Sequence, residues 1–342
     1  MNYCGIDVAN VTSAVCIIDG QGKVLRQVSI ATDVGDLAEA LSGFGRLRIM
    51  IEASPLAEWV ATQVEAMGHE PVLVDARAAK HLVSSAKKTD ARDAHTLAQM
   101  GRSGWYTAVH RKSTSARMLR SRLQGRQALL RTAKASAASI RGLLRAHGIR
   151  VGRVAEGAFA SRVRQLVGET VAELAETIEA LLAVWQQSRA AAVALERALR
   201  REGRQDAVRQ RLQGVPGVGP LVSSAYQATI DDPRRFETAR QVADYVGLAP
   251  RVYQSGELDK RGRISREGDT LLRWHLVEAA HVLLTRGPDC ALKRWGLALA
   301  QRKGASKAKV AVARKLAVLL WRLWRRDEDF QAWPESAGVA AG

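Results

Sequence analysis

The sequence predicts a mixed α/β domain, a long helical linker and a mostly helical C-terminal part. Three observations carry this. Short β-rich segments separated by turns crowd the first 75 residues. Helical sequence rich in Arg, Leu and Ala runs from about 114, and glycine-punctuated helical segments continue from Gln213 to about 326. At roughly 100–200 residues per domain, 342 residues make two domains or three. The boundaries read as 1–112, 113–204 and 205–330, with a tail at 331–342.

Residues 2–8, 13–19 and 23–30 read as three consecutive strands, with Asp19-Gly20-Gln21-Gly22 as a turn between the last two. Helical sequence follows at about 35–43, then a strand at 46–52. A helix starts after Ser54-Pro55, since proline suits a first helical turn. A strand at 71–75 leads into helical sequence from about 76. Three antiparallel strands followed by alternating strands and helices match the order of a ribonuclease H-like sheet.

Two long helical stretches, 114–147 and 159–201, are separated by Gly148, Gly152 and Gly157 and predict a helical hairpin or coiled coil. Trp321 and Trp324, three apart, read as core anchors, and the tail after Trp333 reads as disordered.

Composition is ordinary for a globular chain, at 47% hydrophobic and 25% charged, which excludes a disordered chain and a membrane bundle. Charge is not ordinary. The net is +18, which calls for a polyanionic partner. Residues 1–100 hold 9 basic and 12 acidic residues, whereas residues 101–150 hold 12 basic and none acidic. Cys4, Cys16 and Cys290 have no paired or metal-ligand spacing and read as reduced thiols. The first ten residues lack a signal-peptide pattern, and no apolar run reaches the ~20 residues of a membrane span. A cytoplasmic location is the expectation.

Asp7 ends the first strand, Glu52 ends the strand IMIE, and Asp90 and Asp93 sit at i,i+3 in KKTDARDAH. Carboxylates converging from strand ends and a helix start repel one another unless a cation is bound. Hard Mg²⁺ takes oxygen ligands, and two such ions about 3.5–4 Å apart can clamp a reacting phosphodiester. Each residue also has a plain reading. Asp7 and Asp75 suit turns, Asp90 a helix cap, Asp93 a first-turn acid, and Glu52 a surface ion pair. The start GIDVA also suits the phosphate turn of actin-like sugar kinases, but the later glycine-rich phosphate loops are not in the sequence.

GVPGVGP at 214–220 reads as a helix-hairpin-helix turn, in which Gly217 and Gly219 let backbone amides approach a phosphate, or as a plain connection. Ser255 precedes Gly256 in a polar loop among Arg251, Lys260, Arg261, Arg263 and Arg266. A serine attacks phosphorus when its hydroxyl is activated and the phosphate charge is neutralised, and arginine supplies that neutralisation. Ser-Gly is also a common turn, and Ser265 competes as a polar residue or as the cap of a helix near Glu267. His275 and His281 read as structural. Arg117, Arg120, Arg122, Arg126, Arg131, Lys134, Arg141 and Arg145 form a basic helix that attracts any phosphate backbone, or a solvated face. Trp105 and Tyr106 beside it suit core packing better than base stacking.

The ordered set GIDVA, IEAS, KKTDARDA, PGVGP and GLAPR…QSG…RGRIS resembles the DEDD transposases of bacterial insertion sequences across about residues 1–330. That family is similar to Piv-type DNA invertases and includes the bridge-RNA-guided recombinases. The resemblance implies a RuvC-like N-terminal domain, a coiled-coil linker and a C-terminal transposase domain. It implies Asp7, Glu52, Asp90 and Asp93 as an Mg²⁺-binding tetrad, where Mn²⁺ can substitute. Ser255 is implied as the nucleophile that attaches to a DNA 5′ phosphate. The implied partners are double-stranded DNA, at element ends and target, and a structured guide RNA, with dimers assembling into tetramers. Glu257 stands where a second Gly is frequent in the family, and Arg266 where Lys is usual. Two other functions suit parts of this pattern. A RuvC-like junction endonuclease would use the tetrad and water, but has no need of a serine. A non-catalytic architectural protein would gain nothing from an acidic cluster.

Overall fold

The computed structural model describes residues 1–75, 89–255 and 258–333. The helix expected from about 76 and the tail 334–342 lie outside the described residues. The chain forms two compact units, Met1–Lys112 and Ser113–Gly342.

The first unit is a five-stranded sheet with helices on both faces. Its strands are β1 (Tyr3–Val8), β2 (Thr12–Ile18), β3 (Val24–Ala31), β4 (Arg48–Glu52) and β5 (Glu70–Val74), in the order β3-β2-β1-β4-β5. β1 to β3 are antiparallel, whereas β4 and β5 run parallel to β1. This is the mixed sheet that the strand order predicted. The β2–β3 turn is tied by the Asp19 carboxylate, which accepts from the amides of Gln21 at 2.8 Å and Lys23 at 3.0 Å. Helices α1 (Val34–Leu41) and α2 (Ala57–Ala66) cover one sheet face, packing Leu37, Leu41, Val60 and Val64 on Ile6, Ile49 and Ile51. Asp33 caps α1 through the Asp36 amide at 2.9 Å. Helix α3 (Asp90–Ser103) covers the other face through Ala94, Leu97, Ala98 and Met100.

The second unit is helical apart from one hairpin. Helix α4 (Thr114–Ala146) is capped by Ser113. The stretch expected as one helix at 159–201 is instead α5 (Phe159–Thr170) and α6 (Ala175–Gly203), broken at Val171 by a short 3-10 turn. The break lets α5 fold across the end of the α4–α6 pair, where Val163 and Val167 join Ile140, Leu144, Ile178 and Leu182 in one apolar cluster. Next come α7 (Ala207–Gln213), α8 (Pro220–Ile230), α9 (Ala239–Tyr245), the hairpin β6 (Pro250–Ser255) and β7 (Leu258–Ile264), α10 (Thr270–Arg286), α11 (Ala291–Lys303) and α12 (Ala305–Arg326). Their core surrounds Tyr226, whose buried hydroxyl donates to the Ala317 carbonyl at 2.6 Å. Trp321 is buried there and donates to the Pro233 carbonyl at 2.8 Å, while Trp324 packs at the edge. All three cysteines are buried and free.

Candidate catalytic face and nucleic-acid interface

Strand register brings the first two carboxylates together. β1 pairs in parallel with β4, Gly5 opposite Met50 and Ile6 opposite Ile51, so one step further sets Asp7 beside Glu52. Side chains alternate along a strand. Ile6, Ile49 and Ile51 enter the core under α1 and α2, so Gly5, Asp7, Met50 and Glu52 share the face beneath α3.

Gly5 fixes how α3 crosses. A Cβ built there would stand 2.0 Å from the Ala94 carbonyl oxygen and 2.6 Å from the Ala98 amide nitrogen, so no other residue lets the helix come so close. The direction of α3 follows from two hydrogen bonds. Gln27 donates to the Ala91 carbonyl at 3.0 Å, and Gln99 donates to the Gly22 carbonyl at 3.3 Å. The helix therefore starts toward the end of β1 that carries Asp7. Asp90 and Asp93 lie in its first turn, after Thr89 at the N-cap. Negative charge is favoured there by the helix dipole. Asp7, Glu52 and Asp93 are half-buried and Asp90 is exposed.

Among the described residues no three His, Cys, Asp or Glu side chains gather closely enough to hold one ion between them. The donor chemistry nevertheless fits a hard divalent cation. All four candidates are carboxylates, two at strand ends on one sheet face and two in the first turn of the helix that Gly5 admits to backbone contact with that face. Two neighbours escaped the sequence reading. Ser54 Oγ, two residues past Glu52, is buried without a hydrogen-bond partner among the described residues. His95 joins Gln27, Thr89, Ala91 and Arg92 around a shallow recess, and its place two residues after Asp93 was the available signal. Trp105, expected to pack, is 66% exposed, while Tyr106 does pack, beside Met50 and Leu97.

The basic helix α4 divides its cations. Arg120 is ion-paired with Asp269 and Arg122 with Glu202. Arg126 reaches Glu196 at 2.7 Å. Burial pushes the Glu196 carboxyl up, but hydrogen bonds from Arg200 and Arg126 outweigh it and hold it below the ordinary range. Arg141 donates to the Gly152 carbonyl at 2.9 Å and lies over the Phe159 ring. Arg117 is half-buried and has a partner too. Arg131, Lys134 and Arg145 are exposed, with no carboxylate partner among the described residues.

In the 214–220 turn, Gly217 has φ +87°, and a Cβ there would stand 2.4 Å from the Ala279 carbonyl oxygen, so the turn packs on α10. Gly219 is the N-cap of α8 and opens to free space. Ser255 ends β6, opposite Leu258, so the expected polar loop is a hairpin with the serine at its tip. Gly256 and Glu257 lie outside the described residues, as do the side chains of 252–261, Ser255, Lys260 and Arg261 among them. The hairpin base is tightly packed, since a Cβ on Gly247 would stand 2.3 Å from the Glu267 carbonyl oxygen. Exposed Arg251 donates to the Ser265 carbonyl at 3.1 Å, Arg263 is exposed, and Arg266 takes a left-handed φ of +58°. Asp269, not Ser265, caps the following helix, accepting from the Leu272 amide at 2.7 Å. His275 is buried, which pushes its pKa down to about 4 with help from the Arg126 charge, whereas His281 is exposed.

Acids at the strand ends of a mixed sheet, followed by a helical unit with exposed surface cations, suit an enzyme acting on a phosphodiester backbone. Comparison with known proteins agrees. Residues 4–149 match the family model of the IS110-type DEDD transposases, and residues 209–295 match that of the IS116/IS110/IS902 transposase family. A Pseudomonas aeruginosa protein named "Probable family 20 transposase" is 32% identical over 83% of this chain and 85% of its own length. The transposase for insertion sequence element IS1111A of Coxiella burnetii is 29% identical over 96% of this chain and 90% of its own. A pilin gene-inverting protein of Moraxella bovis is 31% identical over 35% of this chain and 37% of its own. The chain belongs to the IS116/IS110/IS902 family of transposases, and is a DNA transposase of the DEDD type. No helix among the described residues is long and apolar enough to cross a membrane.

Proposed function

We propose that this transposase moves its element by serine transesterification, with Asp7, Glu52, Asp90 and Asp93 holding divalent metal in a RuvC-like domain and Ser255 as nucleophile. The carrying observation is the α3 crossing at Gly5, which starts Asp90 and Asp93 toward the strand ends of Asp7 and Glu52. Mg²⁺, or Mn²⁺ in its place, supplies Lewis-acid polarisation of a phosphoryl oxygen when bound. The Ser255 oxygen forms an ester bond to the 5′ phosphorus while the bond to the 3′ oxygen breaks. The serine proton ends on the released 3′ hydroxyl, so the ester count is conserved and the step reverses for rejoining. Arg251, Lys260, Arg261, Arg263 and Arg266 neutralise the phosphate. Target choice belongs to a structured guide RNA on the basic surface of α4. The tetrad of one chain serves the serine of another in a dimer that pairs into a tetramer.

The test is to trap a covalent adduct. Protein, Mg²⁺, element-end DNA and the RNA encoded beside the gene are incubated, denatured and examined for DNA-linked protein. An adduct lost in Ser255→Ala and recovered on mixing that variant with Asp7→Ala is the expected result. Nicked DNA without adduct, unchanged in Ser255→Ala, would hand the reaction to water and leave a metal-dependent endonuclease.

A further inference from the structure

A second cationic surface lies outside both matched family segments. From Cys290 to Arg326 the chain holds 11 Lys and Arg and no Asp or Glu. The acids at its two ends are already engaged. Asp289 pairs with Arg294 at 2.6 Å, Glu328 lies 3.8 Å from Arg326, and Asp327 and Asp329 both meet Arg211. Arg325 is spent on the carbonyls of Phe236 and Glu237, and Lys293 on that of Gly287.

What remains is ordered by the helix. α12 buries Ala308, Val312, Ala313, Leu316, Ala317, Leu320 and Leu323 in the core. Lys307, Arg314 and Arg322 fall on the opposite face, seven and eight residues apart, or about 10 and 12 Å along the axis. None has a carboxylate partner among the described residues. Arg302 and Lys303 at the end of α11 are exposed as well, and Lys315 lies 4.6 Å from the Trp295 ring centroid.

We propose that the outer face of α12, with the end of α11, is a docking surface for the phosphate backbone of duplex DNA. The family's substrate is DNA, and a row of cations on one helix face, without carboxylate partners among the described residues, complements the evenly charged edge of a duplex. Such contacts position DNA without reading its sequence. None of these residues belongs to the α4 cations or to the Ser255 hairpin, so failure of this proposal leaves the proposed chemistry untouched.

The test uses the full-length chain with Lys307, Arg314 and Arg322 all changed to Gln. Binding of a random-sequence duplex is measured across salt concentrations. The log–log salt slope is expected to shrink by about 3, with affinity at low salt down at least about tenfold. A Lys307→Arg, Arg314→Lys, Arg322→Lys variant should restore the slope. A control removing the carboxylate-paired Arg46, Arg164 and Arg240 should leave it intact. An unchanged slope in the triple Gln variant overturns the proposal. So does an equal loss in the control, or a loss confined to structured RNA or to anionic lipid vesicles.

Discussion

The two halves of α4 have similar sequence charge and different fates. In the first half Arg120, Arg122 and Arg126 each meet a carboxylate from α6 or from the start of α10. In the second half Arg131, Lys134 and Arg145 meet none among the described residues. A cation committed to an internal acid stabilises the fold, whereas one left in water is available to a phosphate. The difference between the halves therefore separates a stabilising role from a binding one along a single helix.

The largest effect should come from breaking the first half at its most enclosed carboxylate. The Asp269 side chain is 9% exposed, pairs with Arg120 and caps α10. Asp269→Ala removes the cap and leaves Arg120 unanswered, at a cost of roughly 3–4 kcal/mol in chemical denaturation. Asp269→Asn keeps the cap oxygen and should recover roughly 1 kcal/mol of that loss. Equal losses in both variants would mean that the cap contributes nothing and the ion pair everything.

A somewhat smaller effect belongs to pH. His275 is buried and feels the Arg126 charge, and its pKa falls from 6.5 to about 4 against the opposing pull of Asp269. Its folded pKa lies below its unfolded one. The unfolded chain therefore binds the extra proton between those values, and stability is full above pH 6.5 and declines toward pH 4. The decline amounts to roughly 3 kcal/mol. A His275→Gln variant should show a flatter dependence of Tm on pH over that window. An unchanged dependence would assign the acid sensitivity to carboxylates such as Glu196, whose lowered pKa acts in the same direction.

Much of the first unit was legible in advance because its signals are local. Short β-rich segments and the Asp19-Gly20 turn pointed to the sheet, and strand-end positions picked out Asp7 and Glu52. The close approach at Gly5 was not legible, because it depends on which helix lies above. The second unit was harder for the same reason. The partners of Arg120, Arg122 and Arg126 lie 149, 80 and 70 residues away, so no window of sequence shows that their charge is already used. Ser265 was the cap the sequence suggested, and only the Leu272 amide, which donates to Asp269, shows that Asp269 takes that place. The break at Val171 answers a packing demand from Ile140 and Leu182, which lie on other helices.

The smallest effect on stability, and the sharpest use of the comparison, comes from the second half of α4. Arg131, Lys134 and Arg145 changed together to Gln should move unfolding free energy by less than about 0.5 kcal/mol, since exposed side chains without partners add little. The same variant should lower the salt slope for binding a structured RNA by about 2–3 units, since each cation removed loses about one phosphate contact. Arg120, Arg122 and Arg126 changed to Gln should reverse the pattern, with lost stability and a slope nearly as in the parent chain. If both triple variants lose slope equally, the internal ion pairs open when nucleic acid binds. The two halves would then differ only in the cost of releasing their charge.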